Sequence, residues 1–121
     1  MLLRVVLRGQ AIFYLVTGIW PLLSLETFER VTGPKVDDWL VHMVGLLAAS
    51  IGLTLWVGAR ASRPPGAVVL LAMLSAASFA AVDLRYALAR RISPVYLLDA
   101  AAEAALLLAL TLGWLRSRRS A

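Results

Sequence analysis

The sequence predicts an all-α integral membrane protein, a four-helix bundle running up-down-up-down with no soluble domain. Three observations carry the prediction. Of the 121 residues, 61% are hydrophobic and only 16% charged, with a mean hydropathy of +0.83. A soluble chain of this length has too little interior to hide so much apolar surface. The apolar residues fall into four blocks of roughly 19 to 22 residues, the length a helix needs to cross about 30 Å of hydrocarbon. The arginines flank those blocks, as in membrane topologies, so the net charge of +5 does not point to nucleic acid, for which no binding motif is present.

The first block runs from Leu7 to Leu25. Arg4 and Arg8 at its start resemble the basic region of a signal peptide, but no small-x-small cleavage site follows, and Tyr14, Trp20 and Pro21 interrupt the run, so a retained helix is expected. Pro21 should kink this helix or end it early, because it has no N–H and its ring crowds the preceding turn. The turn Thr32-Gly33-Pro34-Lys35 leads to the second block, Trp39 to Ala59. Arg63-Pro64-Pro65-Gly66 separates it from the third, Ala67 to Leu88, and Arg90-Arg91-Ile92-Ser93-Pro94 introduces the fourth, Pro94 to Leu115. Pro94 suits the first turn of a helix, where a missing N–H costs nothing. Trp20, Trp39, Trp56, Trp114 and Tyr96 suit the interfacial belt. The tail "RSRRSA" is expected to anchor the topology on anionic lipid. Little is left for anything but a single transmembrane domain over 1–121.

Orientation follows from the positive-inside rule. Arg4 and Arg8, Arg60 and Arg63, and Arg116, Arg118 and Arg119 lie on one side of a four-span chain. The first loop, on the other side, carries Glu26, Glu29, Arg30, Lys35, Asp37 and Asp38, a net charge of −2. Arg90 and Arg91 weaken the bias without reversing it. Both termini are therefore expected in the cytoplasm, with the first and third loops facing outward.

The residues that do not fit a simple span lie in "YLLDAAAEAALLLAL", where Asp99 and Glu103 stand four apart on one helical face. At 1.5 Å per residue Asp99 falls roughly 7 Å below the outer end of the fourth span, and Glu103 one turn deeper. Asp83 and Arg85 fall in the last two turns of the third span. His42 falls in the first turn of the second, four residues after Asp38. The polar groups of three helices thus share the outer half of the bilayer, while the inner half has little beyond Gln10, Ser50 and Thr54. His42 shares a stripe with Gly45, Ala49 and Gly52, and Asp83 with Ala76, Phe79 and Ala80. Small residues at this spacing mark faces that pack on other helices, so the charges are expected to point into the bundle.

An ionised acid at a helix centre costs roughly 2.5–3.5 kcal/mol on the insertion scale, and each Leu returns about 0.5. The fourth span has eight leucines, so its two acids nearly cancel its tendency to insert. Asp83, Asp99 and Glu103 against Arg85 leave an excess of acid, to be balanced by protonation, a cation or a cationic ligand. The candidate site is Asp83, Arg85, Asp99, Glu103, His42 and Asp38, with Tyr86 and Tyr96 beside them. The plainer alternative is a buried lock, in which Arg85 pairs with Asp83 or Asp99 and nothing binds. His42 could equally be a hydrogen-bonded core histidine.

With no cysteine and one histidine, thiolate and multi-histidine metal or haem sites are excluded and no cofactor is expected, although the acids leave the identity of any metal open. Phosphate loops, His-Glu-x-x-His and nucleophile elbows are absent. The runs "FERVTGPKVDDWLVHMVG" and "RISPVYLLDAAAE" resemble segments of small bacterial four-span membrane proteins, a set that brings no activity with it. That resemblance implies the bundle fold and a bacterial inner membrane, and eleven arginines to one lysine suit a GC-rich genome. Three classes of function stay open. The first is binding or transport of a proton, cation or small cationic ligand. The second is an accessory subunit docked on a larger membrane complex, whereas a homodimer would suit the first or third class. The third is a small enzyme using Asp99 or Glu103 as acid or base.

Overall fold

The structure, a computed structural model, describes residues 1–119. The last two residues of the predicted lipid anchor, Ser120 and Ala121, lie outside the described residues. Five helices make up the described chain: α1 (Leu2–Leu23), α2 (Leu25–Thr32), α3 (Asp38–Gly58), α4 (Gly66–Leu88) and α5 (Tyr96–Arg119). All but α2 are long and apolar enough to cross a membrane, so the chain is a multi-pass membrane protein whose outer surface meets lipid. The spans follow the hydropathy blocks closely. α1 starts earlier than predicted and runs through Pro21 for two residues before Ser24 ends it. Pro94 sits in a tight turn just ahead of α5, where Leu97 N–H donates to the Pro94 carbonyl at 2.9 Å.

The helix in the first loop is a finding the hydropathy pattern hid. Ser24 caps α2, accepting from the Thr27 N–H through its side chain. The Trp20 indole donates to Thr27 Oγ1 at 2.9 Å and meets Phe28 edge to face at 5.3 Å. These contacts hold α2 against the end of α1. Its exposed side carries the Glu26–Arg30 ion pair.

Packing is uneven. α1 lies closely on α3, α4 lies on α5, and α1 also meets α5. Glycine sets the first of these contacts. A Cβ at Gly18 would stand 2.5 Å from the Gly45 carbonyl oxygen, and one at Gly52 would stand 2.9 Å from that of Ala11. The backbones thus approach to a distance only small residues allow. At the end that holds the termini, Leu3, Leu7, Ala11, Leu55, Ala59, Val69, Ala72 and Leu110 form a closed apolar core. Arg4 there donates through Nε to the Ala59 carbonyl at 3.0 Å, neutralising the carbonyl end of α3. α3 and α4 touch sparingly, at that same end, where Gly58 meets Val68. Toward the α2 end the α1/α3 pair and the α4/α5 pair spread apart.

Candidate functional site

The spread leaves a cavity of about 790 Å³ beneath α2. Its walls come from every helix: Phe13, Tyr14 and Thr17 of α1, Phe28 and Val31 of α2, Val41 and Val44 of α3, Phe79 and Val82 of α4, Tyr96, Leu98 and Ala102 of α5. The lining is overwhelmingly apolar. Three acids break it, Asp83, Asp99 and Glu103.

Glu103 stands deepest, 1% exposed. Its carboxylate accepts the Tyr14 hydroxyl hydrogen, with Oη 2.7 Å from Oε1 and 3.3 Å from Oε2. Tyr14 is itself 2% exposed and is steadied by Phe79, edge to face at 5.4 Å. One turn earlier on α5, Asp99 is half-buried and faces Asp83 of α4. Asp83 is 5% exposed, and its Oδ2 is buried with no hydrogen-bond donor. An unsatisfied buried carboxyl oxygen is costly, so this atom is the strained point of the site. Below the acids Gln10 is fully buried and donates to the Ala72 carbonyl at 3.0 Å, while its own carbonyl oxygen has no donor.

Cations do not answer these acids. The Lys35 ammonium borders the cavity but donates to Thr32 O, Thr32 Oγ1 and Gly33 O at 3.0, 3.2 and 2.8 Å. It thereby caps the carbonyl end of α2 and lies over the ring of Tyr96, 5.2 Å from its centre. Arg85, expected inside the bundle as partner to Asp83 or Asp99, lies outside it. Its side chain is exposed and its guanidinium lies 5.7 Å from the centre of the half-buried Tyr86 ring. The reason is helical geometry: two residues correspond to about 200° of rotation, so Asp83 and Arg85 face opposite ways. Among the described residues Glu26–Arg30 is the one ion pair between side chains, and the interhelical lock is not formed.

Comparison with protein-family models, with curated proteins and with solved structures finds no match. What the site can do rests on its own geometry. Asp83, Asp99, Glu103 and Tyr96 come together on the cavity. His42 is half-buried at the edge of the stripe through Gly45, Ala49 and Gly52 that packs on α1, and does not border the cavity. Asp38 is exposed in the first turn of α3, where a negative charge favours the helix N-terminus. Among the described residues no three His, Asp or Glu side chains are placed to hold a metal ion. The arrangement presents negative charge and aromatic faces to a volume suited to an organic molecule.

Sequence reasoning passed over Tyr14 and Lys35. Tyr14 was legible in principle. Leu3, Leu7, Gln10, Ala11, Tyr14, Gly18 and Pro21 are the buried residues of α1, a regular stripe in which Gln10 and Tyr14 are the polar members. Lys35 carries no comparable signal, since its place depends on α2.

Proposed function

We propose that the protein binds or transports a cationic ligand within the membrane, with Asp83, Asp99 and Glu103 as counter-charges. The observation that supports this is a group of acids with no cation partner among the described residues, set in an apolar cavity. Intramembrane acids are costly and mark ligand or ion paths. Here the nearest cations are turned away or already satisfied. A cation entering the cavity would meet Asp83 and Asp99 first, Asp83 offering an oxygen that has no donor. Tyr14 holds the Glu103 carboxylate in one orientation beneath them, so it is a positioning residue. The apolar core at the termini end closes the floor, which suits a state closed toward the termini and open in the half of the bundle that holds α2. By the positive-inside reading that is the outer side, in a bacterial inner membrane.

Binding of monovalent cations, from protons to organic ammonium ions, by purified protein in micelles tests the proposal. Wild type should bind at least one of them saturably, and Asp83→Asn and Asp99→Asn should weaken that binding at least ten-fold. A folded wild-type protein that binds none, or variants that bind equally, would remove it.

A further inference from the structure

Building on the cation-binding reading, we infer that the ligand is an amphiphilic amine, a single ammonium on an apolar body, which enters sideways from the bilayer through the gap between α3 and α4. Size is the first argument. A proton or a metal ion needs none of the 790 Å³ beneath α2, a volume within the roughly 300–1,000 Å³ range of pockets that hold drug-sized molecules. The acids do not converge as metal ligands would.

The lining is the second. A hydrated cation entering this cavity would shed water against Val44, Phe79 and Val82 and recover polar contacts from the acids and a few hydroxyls, those of Tyr14, Thr17, Thr32, Ser78 and Tyr96. A cation carrying its own apolar body loses less water and fills the space. Aromatic faces also accept an ammonium. The wall already shows that geometry, since the Lys35 ammonium lies over Tyr96.

The sign of the charge is the third. An anionic or zwitterionic head would have to be met by Lys35, whose donors are already taken up by the end of α2. The fold also offers a route of entry. α3 and α4 touch sparingly, with Gly58 against Val68 toward the termini end, and on either side of the opening Val44 and Val82 are exposed cavity residues. An apolar rim on a lipid-facing gap admits a molecule already dissolved in the membrane.

The test uses protein in phosphatidylcholine nanodiscs, titrated with decylamine, decanol and tetramethylammonium against empty discs. Decylamine should bind saturably, one per chain, at least ten-fold tighter than either of the others. Asp83→Asn, Asp99→Asn and Glu103→Gln should each remove that preference and leave decanol unchanged. If tetramethylammonium binds as tightly as decylamine, the amphiphile is wrong while the cation reading stands. If decanol does, or if the acid variants keep the full preference for decylamine, charge at these acids plays no part and both fall. For the route, Val44→Trp combined with Val82→Trp should slow decylamine association at least ten-fold. An unchanged rate in that variant overturns lateral entry.

Discussion

Tyr14 of α1 donates to Glu103 of α5 at 2.7 Å, and this buried bond joins the two helix pairs at the point where they begin to separate. Below it the apolar core is closed, and above it the cavity opens. The bond therefore fixes the Glu103 carboxylate and sets the depth of the cavity floor.

Tyr14→Phe should lower stability by about 1–3 kcal/mol, because it leaves a buried carboxylate without its donor. Tyr14→Phe with Glu103→Met should recover most of the loss, since removing both partners leaves nothing unsatisfied. Unfolding in micelles across this double-mutant cycle measures the coupling. Additive losses would mean the two side chains act independently.

The glycines divide by what surrounds them. Gly18→Ala puts a Cβ 2.5 Å from the Gly45 oxygen and 2.8 Å from the Ala49 nitrogen. Both are backbone atoms, so α1 and α3 must separate, at a cost of about 1–3 kcal/mol. Gly9→Ala meets nothing within 4 Å and should stabilise α1 by up to about 1 kcal/mol through helix propensity. The two melting temperatures should move in opposite directions.

How far the sequence reached depended on how local each feature is. The spans and turns were legible because hydropathy and Pro/Gly placement act over neighbouring residues. Asp99 and Glu103 share a face because they are four apart, which needs only the helical period. Arg85 fails the same rule at a spacing of two from Asp83, which turns it to the opposite face, so its charge does not answer the acids. α2 escaped because its eight residues are amphipathic within a polar loop, although Ser24 and Thr27 carry a capping signature. The cavity could not be read at all. It arises from α3 and α4 separating, and neither helix signals that alone.

Topology can be checked directly. A reporter active only outside the cytoplasm should work when inserted between Pro34 and Asp37 and stay silent at Ala121. The reverse pattern would put the cavity mouth on the cytoplasmic side and leave the geometry of the site unchanged.

Just beyond α4 and its cap Ala89, Arg90 lies in the left-handed region at φ 61°, while Arg91 N–H reaches back to the Tyr86 carbonyl at 2.9 Å. This is a glycine position occupied by arginine. Arg90→Gly should raise stability by about 1 kcal/mol in thermal unfolding, and a decrease would mean the arginine side chain contributes more than its backbone costs.

Asp83 brings stability and function into opposition. Its Oδ2 has no donor although the residue is 95% withdrawn from the surface, and its carboxyl faces that of Asp99. Asp83→Asn keeps the shape, removes one of two opposed carboxyls and supplies an amide donor to Asp99. The bundle should gain about 1–3 kcal/mol, the scale of an unsatisfied buried polar group, while cation binding falls at least ten-fold. Micelle unfolding and ligand titration on the same preparation read both quantities. A variant that is less stable than wild type would make Asp83 a structural group, held by contacts that the amide cannot reproduce. A variant that gains stability and loses its ligand would show that the acid is kept at a cost to the fold, as expected of a binding site rather than a core.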